Sequence, residues 1–414
     1  MGYFPIDDKE VMLLRNQTKG CQTHIHLNNA GASLPPDAVK EAIIAYLSEE
    51  AVNGGYETES KYAQKLENTY LQIADLLNAN VDEVAIFENG SSAWGTAFKG
   101  VDLKHDDEII TCEMEYISNW IGFINSSKTI GVKVIVIPND DSGNFQLDQL
   151  EKAITIKTKL IAITHISSSS GNILPIVEIG KIAEQYQIPY LLDAAQSVGQ
   201  VPLDVDLIKC DMLSATGRKF IRAPRGTGFL YVRRSIQDKI RPLLLDSNGL
   251  SAVTTIDYHL RSDARRYELY EKSRALTIGL GKAIEYALNI GIDRIWQRVQ
   301  YLADFTRNEL VKNADVTVHD LGDYKCGIIT FSVRNIESTA IKAKLAEMAI
   351  NVSVSSQKAT LLYMKKNKLE SVVRASVHYY NTDQEIISLC KALSDIINKS
   401  YLMIKYNDDR VLKQ

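Results

Sequence analysis

Two stretches decide the fold: Ile188-Pro189-Tyr190-Leu191-Leu192-Asp193-Ala194-Ala195-Gln196, and Asp211-Met212-Leu213-Ser214-Ala215-Thr216-Gly217-Arg218-Lys219, whose lysine falls 26 positions after Asp193. The apolar run at 188–192 reads as a buried parallel strand that Asp193 closes. A carboxylate at the C-terminal end of such a strand points into the crevice where open α/β sheets bind ligands. Lys219 follows a second short strand and precedes the turn-rich Arg222-Ala223-Pro224-Arg225-Gly226-Thr227-Gly228. A lone lysine is ordinarily a solvated charge, and a lone strand-end aspartate is often a helix cap. In this order, with Gln196 and Arg218 beside them, the two suit one chemistry. The lysine forms a Schiff base, and the buried carboxylate keeps a pyridine nitrogen protonated. Pyridoxal phosphate needs that pair, an imine anchor and a partner that makes the ring an electron sink.

Working outward, strand and helix patterns alternate from about residue 80 to 235. The predicted strands are Val84–Phe87, Glu108–Cys112, Lys133–Ile137, 160–164, 189–193, 212–215 and Gly228–Val232. Ile176, Ile179, Gly180 and Ala183 follow helical periodicity between two of them. This alternation implies right-handed crossovers and a mostly parallel sheet with helices on both faces. Upstream, Tyr62, Leu66, Tyr70, Ile73 and Leu77 mark one face of an amphipathic helix, expected on the sheet or at a dimer interface. After about residue 260 the order becomes mixed. Helices are predicted at 268–289 and 293–312, a strand at Ile328–Val333, a helix at 338–348, a strand at Ser371–Ser376 and a last helix at 383–397. The expected division is an N-terminal segment 1–30, a large domain 31–260, and an interdomain helix with a smaller α+β domain over 261–414. The stretch 245–251 reads as a loop near the active site, and the charged tail after Tyr406 as frayed.

Composition excludes several functions. The 414 residues are 45% hydrophobic and 24% charged, and the net charge of −4 gives no electrostatic case for nucleic acid or an anionic membrane. The five cysteines, Cys21, Cys112, Cys210, Cys326 and Cys390, are widely spaced, and no C-x-x-C pair suggests a disulfide framework or zinc. His24 and His26 flank Ile25 but find no third ligand, so no metal is expected. His165 is expected in a hydrogen-bonded structural role. The polar, acidic start Met1–Asp8 is unlike a signal peptide, and no apolar run approaches a membrane span, so the cytoplasm is the expected compartment.

The stretch 190–232, with Leu27-Asn28-Asn29-Ala30-Gly31-Ala32, Asn89-Gly90-Ser91-Ser92 and Val373-Arg374-Ala375-Ser376-Val377-His378-Tyr379-Tyr380-Asn381-Thr382, resembles the class V aminotransferase family, which holds the cysteine desulfurases. The resemblance spans most of the chain. It implies a fold-type I pyridoxal phosphate enzyme, usually a homodimer, acting on a small amino-acid substrate. By this resemblance Lys219 is the Schiff-base lysine, Asp193 the pyridinium partner and Gln196 the residue beside the phenolic oxygen. Ser91 and Ser92 open a helix under the phosphate, a favourable place for an anion. Thr216 and Arg218 stand where the family often has Ser and His reaching the same phosphate. Arg374 matches the arginine that grips the substrate carboxylate.

Departures from the family pattern bear on the reaction. Desulfurases carry a mobile cysteine upstream of the position of Arg374, but here the stretch reads Ser353-Val354-Ser355-Ser356-Gln357-Lys358-Ala359-Thr360-Leu361. Without that nucleophile a persulfide route is not expected. Tyr116, in Glu115-Tyr116-Ile117-Ser118-Asn119, takes the place of a histidine stacked over the ring. Ser168 replaces an Asn beside the phenolic oxygen, and Glu271 a Thr that reaches the other subunit's phosphate. These motifs together are similar to the branch of hercynylcysteine sulfoxide lyases and isopenicillin N epimerase-like proteins. The expected reaction is therefore C–S β-elimination from a cysteine S-conjugate or sulfoxide, releasing pyruvate and ammonia, with Lys219, Asp193 and Tyr116 catalytic. Epimerase or aminotransferase chemistry is the alternative, and a non-catalytic binding subunit a second one.

Overall fold

The computed structural model describes residues 5–411. Seven strands form the large sheet: β1 (Val84–Phe87), β2 (Glu108–Cys112), β3 (Lys133–Ile137), β4 (Thr158–Thr164), β5 (Tyr190–Asp193), β6 (Met212–Thr216) and β7 (Gly228–Val232). Their spatial order is β1-β7-β6-β5-β4-β2-β3. All neighbours run parallel except at β7, which is antiparallel to both β1 and β6. The short link after β6 permits that reversal, since antiparallel partners need no crossover helix. Every residue of β1, β5, β6 and β7 is buried. This explains their apolar runs, because strands covered on both faces need not alternate.

β1 lies at one edge yet does not expose its backbone. The 3-10 turn Ala264–Tyr267 packs beside it, and the Glu268 carboxylate accepts the Ile86 N–H at 2.7 Å. That use of Glu268 corrects the helix predicted from 268. The chain stays extended there and the helix starts at Arg274, capped by Ser273, to give Arg274–Ile290. The helix Gly55–Leu77 packs on it and on Asp37–Asn53, burying Tyr70, Ile73 and Leu77. It thus joins the helical layer while its buried face reaches the core of the large sheet.

The C-terminal part contains a second sheet of β8 (Val316–Val318), β9 (Ile328–Val333), β10 (Ser353–Ser356) and β11 (Ser371–Ser376), in the antiparallel order β8-β9-β11-β10. Val373 and Ala375 of β11 enter its core with Leu389 and Leu393 of the last helix, whereas Val372 joins the core of the large sheet. Arg374, alternating with Val373 and Ala375, therefore shares the Val372 face. Residues 25–27 also belong here structurally: Ile25 and His26 pair with Ile350 and Asn351, and Leu27 is buried in the same core. The last helix, Asp383–Val411, runs beyond the predicted end at 397 and through the start of the tail expected to fray; residues 412–414 lie outside the described residues. Among the described residues no helix is long and apolar enough to cross a membrane.

Candidate active site

The sheet order reverses between β2 and β4, and this is where a crevice opens at the C-terminal ends of parallel strands. A cavity there is lined by Ser91, Tyr116, Asp193, Gln196, Thr216, Arg218 and Lys219, so seven of the residues singled out from the sequence meet in one place. Asn89, Asn119, Thr164 and Ser168 add polar groups to its wall, and Ile166 an apolar one. Ser92 is not among the lining residues. Its backbone N–H donates to the Asn89 side chain at 2.8 Å, capping the helix Gly90–Gly100, and its side chain is exposed. The amides of Gly90 and Ser91 have no acceptor within the helix and remain available to an anion. Gly228 lets this turn sit against β7: a Cβ there would stand 2.6 Å from the Asn89 carbonyl carbon and 2.7 Å from the Ala215 carbonyl oxygen.

Asp193 is buried and fully engaged at the end of β5. Its Oδ1 accepts the Ala195 N–H at 2.9 Å and its Oδ2 accepts the Asn119 amide at 2.8 Å. Lys219 opens into the same cavity. Burial pushes its amine down to about 7, the Arg218 charge and that of Arg374 push the same way, and Asp193 opposes them. Such an amine is about half neutral at pH 7, far more than an ordinary lysine, and can act as a nucleophile.

Arg374 does not line the cavity, but its Nη1 donates to the Ser168 carbonyl at 2.8 Å and its Nε to Ser353 Oγ at 2.9 Å. Neither acceptor is a carboxylate. Burial, then repulsion from Arg218, lowers its pKa to about 10, partly offset by Tyr116. A buried guanidinium held by neutral groups retains attraction for an incoming anion. Arg218 is lowered in the same way, by burial first and then by Arg225.

Two expectations change, and Ser168 gains a neighbour. The 245–251 stretch forms a 3-10 turn, Ser247–Gly249, leading into the hairpin of Leu250–Val253 and Tyr258–Leu260, and none of it lines this cavity. His165 is buried, with its charge suppressed by burial to about 3, and its Nδ1 has no partner among the described residues. The hydrogen bonds at that residue are made by its backbone, to Asp193 and Leu174, rather than by the ring. Ser168, expected beside the phenolic oxygen, has its hydroxyl 3.3 Å from Thr360 Oγ1. The reading of the sequence passed over Glu115 and Asn119 as functional groups. Their spacing of four, just after a strand end, was the signal: it places Asn119 in the first turn of the helix Ile117–Thr129, within reach of Glu115 in the turn before it.

The donor set suits a pyridine ring bearing a phosphate. A buried Gln196 Oε1 has no partner among the described residues, and the Lys219 amine, a fixed carboxylate and free helix amides face one cavity. Comparison with known proteins agrees. The family model "Aminotransferase class-V" matches residues 25–389. A probable cysteine desulfurase of Pyrococcus abyssi is 30% identical over 91% of this chain and 95% of its own length. One of Methanothermobacter thermautotrophicus is 29% identical over 94% and 96%. The apo structure of the cysteine desulfurase from Thermococcus onnurineus NA1 superposes with a TM-score of 0.89 at 27% identity, covering 96% of this chain and all of that one. This chain belongs to the class-V aminotransferase family. It is a pyridoxal-phosphate-dependent enzyme with the fold expected from its sequence.

Proposed function

We propose that this enzyme is a C–S lyase that eliminates the sulfur substituent of a cysteine S-conjugate or sulfoxide directly, without a protein persulfide. The relatives are named as cysteine desulfurases, which supports cleavage of a cysteine C–S bond. One observation carries the finer reading: no thiol lines the cavity. Cys326 is fully buried beside Ala30, Ile166 and Phe220, and burial pushes its thiol up to about 12. The segment 353–360, where the resemblance would place a mobile cysteine, is a strand and turn of hydroxyl-bearing residues. Ser169 Oγ lies 2.7 Å from Ser355 Oγ and 3.0 Å from Thr360 Oγ1. This departure also keeps the hercynylcysteine sulfoxide lyase-like branch as the proposed subfamily.

Lys219 would hold pyridoxal phosphate, Asp193 would face its ring nitrogen, and Ser91, Thr216 and Arg218 would meet its phosphate. When bound, the cofactor supplies an electron sink for the electrons left at the substrate α-carbon. Lys219, released by the substrate amine, takes the α-proton. Arg374 holds the substrate carboxylate and so orients the Cα–H bond. Tyr116 gives its phenolic proton to the departing sulfur as the Cβ–S bond breaks. The released enamine consumes one water to yield pyruvate and ammonia. The working unit is proposed to be a homodimer in the cytoplasm. A screen of cysteine thioethers and sulfoxides for equimolar pyruvate, ammonia and thiol or sulfenic acid tests this reading. Release of alanine and sulfide from free cysteine, with no pyruvate from any conjugate, would overturn it.

A further inference from the structure

Glu115 is the second buried carboxyl of this site, and no hydrogen bond or ion pair links it to a cation. Its Oε2 accepts Thr111 Oγ1 at 3.0 Å. Its Oε1 accepts the Asn119 amide at 2.7 Å, the Tyr116 N–H at 2.9 Å and the Thr164 hydroxyl. The side chain therefore ties β2 and β4 together across the point where the sheet order reverses. A carboxyl group here is costly, because burying one without a counter-ion is unfavourable even when hydrogen-bonded. A glutamine of the same shape could fill the space without a charge. The Asn119 side chain gives the expense a purpose: its single NH2 donates one hydrogen to Glu115 and the other to Asp193, bridging the two carboxyls.

We propose that Glu115 is a positioning residue that acts through the Asn119 bridge and the Asp193 carboxylate to set how firmly the cofactor's ring nitrogen holds its proton. This rests on the reading of Asp193 as the ring-nitrogen partner. The sign follows from charge. An ionised Glu115 adds a second negative charge beside Asp193, so a proton shared by Asp193 and the ring is held to higher pH. A neutral Glu115 releases that hold. Burial raises Glu115 to about 7, opposed first by the Thr164 bond, while Asp193 raises it further. The other ionisable group that senses it is Cys112, itself raised by burial. The ring nitrogen's hold on its proton therefore changes across neutral pH.

The test follows the ring nitrogen itself. Protein reconstituted with pyridoxal phosphate labelled with 15N at the ring is titrated by NMR as wild type, Glu115→Gln, Thr164→Val and Asp193→Asn. Glu115→Gln is expected to lower the ring nitrogen's midpoint by about one pH unit. Thr164→Val removes the bond that most favours ionised Glu115, so it lowers the midpoint in the same direction at neutral pH, and it decides the question alone if Glu115→Gln does not fold. A midpoint unchanged in these variants, with the ring proton lost in Asp193→Asn, overturns this inference and leaves the site reading intact. A ring nitrogen still protonated in Asp193→Asn overturns the Asp193 assignment and the inference with it.

Discussion

The backbone N–H of Ile117 donates to the carbonyl of Ala359 at 3.0 Å, which ties the 353–360 segment to the turn that carries Tyr116. A second tie, Tyr363 N–H to the Glu113 carbonyl at 3.1 Å, follows a few residues on. With the hydroxyl cluster of Ser169, Ser355 and Thr360, these bonds fasten the segment to the loops that carry Tyr116 and Ser168, outside the cavity lining itself. Ordered backbone bonds of this kind resist local opening. A segment fastened in this way suits direct elimination, in which nothing need travel in to collect sulfur.

Removal of all five cysteines should therefore leave pyruvate release from a cysteine conjugate within a few-fold of the parent. Cys112, Cys210 and Cys326 are fully buried. Their loss is expected to cost stability, about 0.5–3 kcal/mol each, without touching the chemistry. Turnover per folded, cofactor-loaded protein is the measurement. Loss of activity on replacing Cys326 alone, in such a protein, would restore a persulfide route.

Lys219→Ala should abolish turnover and remove both the imine absorbance and the dialysis-resistant pyridoxyl–lysine adduct into which borohydride converts that imine in the parent. The depressed amine adds a pH signature. With its pKa at about 7, Lys219 gains its neutral, nucleophilic form as pH rises through neutrality. Imine formation in apoprotein given pyridoxal phosphate should accelerate between about pH 6 and 8 and then level off. An ordinary lysine would still be gaining rate at pH 9.

Asp193→Asn should bind the cofactor but slow α-proton exchange by about 10²–10⁴-fold, the range for positioned groups. Deuterium exchange at Cα of a non-eliminating amino acid reports it. Exchange at the parent rate would remove Asp193 from the ring nitrogen.

Tyr116→Phe should slow elimination most for substrates whose sulfur leaves poorly. An alkyl thiolate needs a proton as it departs, whereas an aryl thiolate or a sulfenate needs less help. A plot of log rate against leaving-group pKa should therefore steepen in the variant. Equal slowing across the series would assign Tyr116 to packing beside the ring.

Gly228→Ala should destabilise the apoprotein by about 1–3 kcal/mol and weaken cofactor binding, since the added carbon meets backbone of both Asn89 and Ala215. Gly95→Ala is the contrast. Within the helix Gly90–Gly100 its added carbon meets nothing within 4 Å. It should stabilise by up to about 1 kcal/mol through helix propensity. Urea denaturation separates the two.

The sequence by itself determined the large sheet and the chemical pair at its centre. All seven strands were legible because buried parallel strands are short apolar runs bounded by turns, and Asp193, closing one, and Lys219, following another, stood out together. Arg374 was legible as well, through the resemblance of its stretch to the family. Tertiary structure alone decided the rest. The helix expected from residue 268 begins at Arg274 because Glu268 is drawn to the edge of β1, a demand made from a strand 182 residues away. Ser91 and Ser92 are equivalent in sequence, yet only one faces the cavity, since a helical turn points neighbouring side chains in different directions. Glu115 and Asn119 became functional candidates only once β2 and β5 were brought to one crevice. Local patterns fix where a chain buries its own residues, but a bridge between two carboxyls exists only when strands distant in sequence lie near one another in the sheet.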